Sequence, residues 1–183
     1  DETLHSNGKS TLLSLPNGGG KSVLVQMLTA PFVHPKYRNT KDRLFESYFT
    51  TNKPSFILVE WALDQGAGYV LTGLMVRKSQ DMEEDRKENL DIIGIVSEYQ
   101  SPCIQDIHHL PVVEKGKKEM ILKNFNSCRQ LFETYKKDRD MKFFYYDLTN
   151  YAQSRQYFDK LMEYQINYKE WETIIKKINL KEY

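Results

Sequence analysis

Leu15-Pro-Asn-Gly-Gly-Gly-Lys-Ser22 is the stretch of this chain best equipped to do chemistry. Gly18, Gly19 and Gly20 free the backbone to fold its N–H groups around an anion without interference from a Cβ. Lys21 follows with an ammonium able to reach the β- and γ-phosphates of a nucleoside triphosphate, and Ser22 with a hydroxyl suited to Mg²⁺. The candidate nucleotide-binding residues are therefore Asn17, Gly18, Gly19, Gly20, Lys21, Ser22 and Val23, with Lys21 also a candidate catalytic group and Ser22 a candidate Mg²⁺ ligand. The full pattern G-x-x-x-x-G-K-[ST] is met at Gly20, Lys21 and Ser22, whereas its first glycine position holds Leu15. The plainer alternative is a glycine-rich turn before an ordinary helix. A second Gly-Lys-Ser, at Gly8-Lys9-Ser10, has no apolar run before it and reads as a turn.

A phosphate loop needs a strand to deliver it and a helix to receive it. Leu12-Leu13-Ser14-Leu15 predicts a strand over 11–15, and Val23, Leu24, Met27 and Leu28 predict a helix over 21–30. The helix would add unpaired N–H groups and the positive end of its dipole. Pro31 and Pro35 close it. Residues 36–53 are polar and basic, and Leu44, Phe45, Tyr48 and Phe49 within them have helical spacing. Arg43, with Lys41, is placed to swing toward a γ-phosphate, where a guanidinium fork binds oxygens in pairs. It is the second candidate catalytic residue, the alternative being a solvated surface charge.

Beyond this region, Ser55–Leu63 and Tyr69–Val76 flank Asp64-Gln65-Gly66-Ala67-Gly68 and predict a β-hairpin. The charged 81–89 stretch reads as a solvated loop or an exposed helix start, and Leu90–Tyr99 as a further apolar run. Leu110–Val113 and Met120–Leu122, around Lys115-Gly116-Lys117, predict a second hairpin. Helices are expected over 124–137, over 151–164 and around Trp171, Ile174, Ile175 and Ile178, and a buried strand at 143–147. The chain thus divides into a phosphate-loop region (1–54), an antiparallel β lobe (55–122) and a helical and strand segment (123–183) within one domain. Lys176–Tyr183 shows no helix-stop signal, so the chain reads as part of something larger.

A complete nucleotide hydrolase also needs a carboxylate at a strand end on the Mg²⁺ side. Glu60 and Asp147 each follow four apolar residues, but any strand ending in a polar residue looks the same. Gln153 is a candidate Mg²⁺ or water ligand, as is Gln165, each with an ordinary surface role as its alternative. Formal net charge is +1 over 183 residues, so no whole-chain basic field points to nucleic acid. Cys103 and Cys128 lie far apart with no C-x-x-C, which fits reduced thiols in a cytoplasmic protein. The four histidines have no ligand spacing that favours zinc, and no apolar run is long enough to cross a bilayer.

The loop resembles the Gly-Pro-Asn-Gly-x-Gly-Lys-Ser loop of SMC-like coiled-coil ATPases, relatives of the ABC transporter motors. That broad group includes MukB and the SMC-like subunits of Wadjet and Lamassu defence systems. Arg43-Leu-Phe-Glu-Ser-Tyr-Phe49, the two strands after it, and Asn167-Tyr-Lys-Glu-Trp-Glu-Thr-Ile-Ile175 are similar to the N-terminal half of such heads. The resemblance implies an α/β P-loop NTPase fold, with a mixed sheet and antiparallel hairpins, as the N-terminal half-head leading toward a coiled coil. It implies ATP and Mg²⁺ as cofactors, and a signature motif and acidic pair in a separate C-terminal half-head, which would leave Glu60 and Asp147 structural. It also implies a second head capping the γ-phosphate, with ATP hydrolysis driving head association and release in a bacterial cytosolic or nucleoid complex. DNA would be the large partner, in chromosome maintenance or anti-plasmid and anti-phage defence, alongside accessory subunits and with no membrane. Lys115, Lys117, Lys118, Lys176 and Lys177 are candidate DNA phosphate contacts in that setting. Two other functions stay open: a self-contained small kinase or NTPase using Asp147, and a non-catalytic interaction module.

Overall fold

Four antiparallel strands and the helices on their two faces make up this computed structural model, which describes residues 3–16, 18, 20–80 and 85–181. Helix α1 (Lys21–Thr29) comes first, followed by a tight turn at Ala30–Phe32, the single-turn α2 (Pro35–Arg38) and another tight turn at Phe45–Tyr48. Then come β1 (Ser55–Ala62), β2 (Tyr69–Lys78), β3 (Leu90–Tyr99), the short β4 (Val113–Lys115) and β5 (Met120–Leu122), α3 (Phe125–Lys137), β6 (Lys142–Asp147), α4 (Tyr151–Glu163) and α5 (Tyr168–Lys181). The main sheet runs in the order β1-β2-β3-β6, and β4-β5 pair on their own.

Side chains alternate across the sheet and build two cores. Ile92 and Val96 of β3 face Tyr157, Phe158 and Leu161 of α4, together with Ala30 and Phe32 after α1. Ile93 and Ile95 face Phe125, Cys128 and Phe132 of α3. The central strands β2 and β3 are buried on both faces, so they read as near-continuous apolar runs rather than alternating ones. The result is an α/β architecture with helices on both faces of an antiparallel sheet. Helix starts are set locally: the side chains of Asn124 and Asn150 accept from the Ser127 and Gln153 N–H groups, satisfying first-turn donors of α3 and α4.

Most expected elements are present. The hairpin at 55–76 forms in continuous register from Ser55↔Val76 to Ala62↔Tyr69. The second hairpin is shifted slightly, to Val113–Lys115 and Met120–Leu122. The short helix expected around Leu44–Phe49 is a single tight turn, with Phe45 and Phe49 buried and Leu44 exposed. The charged 81–89 stretch falls partly outside the described residues.

Two expectations are overturned. No strand forms over 11–15: these residues lack regular structure, and Leu12 is 94% and Leu13 48% exposed. A strand exists by pairing, and among the described residues nothing pairs with this one. The expected mixed sheet is likewise antiparallel at every strand pair among the described residues. The parallel neighbour that a phosphate-loop strand needs is not part of it.

Candidate functional site

Helix α1 begins at Lys21 because the chain turns into it through glycine. Gly20 stands at φ 81°, ψ 21° and Gly18 at φ 82°, both in the left-handed region. Nothing lies within 4 Å of where a Cβ would sit on either residue, so it is the backbone conformation, not crowding, that calls for glycine there. The Gly20 carbonyl accepts the Leu24 N–H at 2.9 Å, closing the first helical turn. Among the described residues no side chain caps this end, and the first turn holds no acid, so the N–H groups and dipole of this helix start suit an anion. Lys21 and Ser22 are exposed beside them. Gly18, Gly20, Lys21, Ser22 and Val23 line an open recess of about 380 Å³. Asn17 and Gly19 lie outside the described residues.

Gln26, which no motif singles out, organises this region. Its Nε2 donates to the Arg38 carbonyl at 2.8 Å and to the Arg43 carbonyl at 3.3 Å, and its Oε1 accepts from the Tyr48 hydroxyl at 2.9 Å. Gln26 lies one turn after Ser22, on the same side of α1. Through it the Arg43 segment is fixed against the helix that carries Lys21 and Ser22. The Arg43 guanidinium lies over the Tyr48 ring at 3.8 Å and donates to Ser47 Oγ at 3.0 Å. The apolar spacing of Val23, Leu24, Met27 and Leu28 gave no signal for Gln26: α1 turns it inward, 5% exposed, and leaves Val25 and Leu28 over 40% exposed.

Gln153, Asp147 and Glu60 are engaged elsewhere. Gln153 Oε1 accepts from the Asp147 N–H at 3.0 Å, joining α4 to the end of β6. Asp147 Oδ1 accepts from the Thr149 N–H and hydroxyl, shaping the turn after β6. Glu60 accepts from the Tyr99 hydroxyl; burial raises the Tyr99 pKa, and the Glu60 carboxylate raises it further. Gln165 ends the α4 turn at φ 63°. Lys115, Lys117 and Lys118 are exposed on the β4–β5 hairpin, and Lys176 lies 5.4 Å over the Tyr37 ring.

A second link had no signal in the sequence. Glu172 of α5 accepts from the His34 N–H at 3.1 Å and contacts its Nδ1 at 2.6 Å, while the imidazole packs on Phe158 and Tyr168. The segment leaving α1 is thereby fastened to the last helix. Among the described residues, no three His, Cys, Asp or Glu side chains gather as a metal cluster, and no helix is long and apolar enough to cross a membrane. The chain matches no family model, no curated protein and no solved structure.

Proposed function

We propose that the Gly18–Val23 recess binds the phosphate tail of ATP with Mg²⁺, as the N-terminal half-head of an SMC-like, DNA-associated ATPase. The observation that carries the reading is the left-handed glycine entry into an uncapped, acid-free helix start bearing Lys21 and Ser22. The N–H groups of a helix start, an ammonium and a hydroxyl stand together here, a set suited to a polyphosphate and its metal. The α1 N–H groups would hold phosphate oxygens, Lys21 would neutralise their charge and Ser22 would ligate Mg²⁺. The cation offsets charge on the β- and γ-phosphates when bound. Arg43 would swing from its stack on Tyr48 toward the nucleotide. Hydrolysis would be completed by a signature motif and acidic pair from a C-terminal half-head.

The test is thermal. ATP with Mg²⁺ at a hundred times its dissociation constant is expected to stabilise the chain by about 2.7 kcal/mol, and Lys21→Ala to abolish that shift. An ATP shift equal in wild type and variant would refute the assignment.

A further inference from the structure

Just before β3 a carboxyl group sits where a charge is poorly served. Glu88 is half-buried, and its Oε1 is shut away from water with no hydrogen-bond partner. An acceptor in that position costs free energy, and costs more when it is ionised. The chain around it is fixed. Glu46, in the turn at Phe45–Tyr48, accepts from the Asn89 N–H at 3.0 Å, which sets a second carboxylate beside the residue next to Glu88. The Asn89 carbonyl accepts from the Ser79 N–H at 2.8 Å, and Arg86 donates to Asp91 at 3.0 Å and to Ser79 Oγ at 2.9 Å.

Two charged groups from other elements act on this carboxyl. Arg38 of α2, only 2% exposed, favours its ionised form, although the Arg38 Nε is already given to the Ala30 carbonyl at 3.0 Å. Glu46 disfavours it as a like charge. Tyr157 of α4 acts on Arg38 in turn, and its hydroxyl proton is given to the Pro31 carbonyl. On the same run, Asp85 and Lys87 are exposed. Burial, the largest influence, and Glu46 together outweigh Arg38 and hold the Glu88 pKa above its usual value.

We infer that Glu88 is a proton-operated latch. Uncharged, it stays seated beside Arg38 and holds the entry to β3 on the Phe45–Tyr48 turn; charged, it leaves for water and the Asn89–Glu46 bond loosens. The same turn carries Ser47 and Tyr48, which hold the Arg43 guanidinium, so the latch sets how freely that segment moves. The device does not depend on nucleotide binding at α1.

A carboxyl whose folded pKa is raised contributes stability that is present in acid and lost as pH rises through the folded value. Asp91 acts in the opposite direction, so wild type alone does not isolate Glu88. Glu88→Gln does, because it keeps the shape of the side chain and cannot ionise. In urea unfolding of the full chain, the variant is expected to have a higher midpoint than wild type at pH 8, and the two to converge as the pH falls to 4. Amide exchange at Asn89, corrected for intrinsic rates, is expected to quicken in wild type between pH 5 and pH 8 and to stay level in the variant. The carbon-13 shift of the Glu88 carboxyl should titrate above the usual glutamate range, and its midpoint should fall in Glu46→Gln, whose amide oxygen can still accept the Asn89 N–H. The inference is overturned if Glu88→Gln is no more stable than wild type at pH 8, since Arg38 then holds a charged Glu88 in place. It is also overturned if the gain is the same at pH 4 and pH 8, or if Asn89 exchange follows pH alike in both proteins.

Discussion

At the scale of single residues, the candidate site depends on which side chains are free and which are committed. Lys21 and Ser22 are exposed at the start of α1, whereas Gln26, one turn on, makes three buried or half-buried hydrogen bonds. Replacing Gln26 with leucine leaves the Arg38 carbonyl and the Tyr48 hydroxyl without their partner. That is expected to cost about 2 kcal/mol in urea unfolding and to loosen Arg43. An unchanged midpoint would show that α1 does not hold the Arg43 segment. The two thiols should also differ. Burial pushes the Cys128 pKa up to about 11, and the residue is fully covered, while Cys103 is partly exposed. Iodoacetamide at pH 8 is expected to label Cys103 in the native protein, and Cys128 only after denaturation, as read by peptide mass. The glycine-Lys-Ser signature was legible in the sequence because its chemistry is local. Gln26 and the His34–Glu172 contact were not, because their partners lie between 12 and 138 residues away.

At the scale of elements, close approach decides the packing. Gly94 in β3 lies under the ring of Tyr157, which is completely buried and donates its hydroxyl proton to the Pro31 carbonyl at 2.9 Å. A Cβ on Gly94 would meet that ring at 2.7 Å. Gly94→Ala is expected to destabilise by about 1–3 kcal/mol, since Tyr157 cannot move without disturbing the turn after α1. A neutral effect in thermal unfolding would mean that α4 is looser on the sheet than described.

Asp91 at the start of β3 gives a pH signature. Burial acts to raise its pKa, but hydrogen bonds from Arg77 at 2.7 Å and Arg86 at 3.0 Å outweigh this and hold the carboxyl below its usual range. A depressed folded-state pKa means stability that is present above the ordinary carboxylate value of about 4 and lost as pH falls through the folded value. Asp91→Asn is expected to cost about 1–2 kcal/mol at neutral pH, with the two proteins converging in acid. A constant gap across the titration would contradict this. The strands and helices themselves were readable, β2 and β3 as continuous apolar runs bounded by turn residues and α3 from its helical period, because their burial follows from their place in the fold. The 11–15 segment misled for the opposite reason: Leu12, Leu13 and Leu15 specify a strand only when a neighbour exists, and pairing is not local information.

At the scale of the whole molecule, the antiparallel sheet fastens two helical layers, and α1 leans on one of them at the margin. The buried contacts of that helix run through Gln26, Thr29 and the Ala30–Phe32 turn, while Val23, Val25 and Leu28 stay at least 36% exposed. The loop and helix start can therefore meet a ligand without rearranging the sheet. The backbone amides of Gly20, Lys21, Ser22 and Val23 are the most direct witnesses. In a titration of the isotope-labelled chain with ATP and Mg²⁺, their resonances are expected to shift in a saturable way, and to stay still in Lys21→Ala. If ATP leaves those amides unmoved, or moves them equally in the variant, the recess at the head of α1 is not a phosphate site and the proposed function fails.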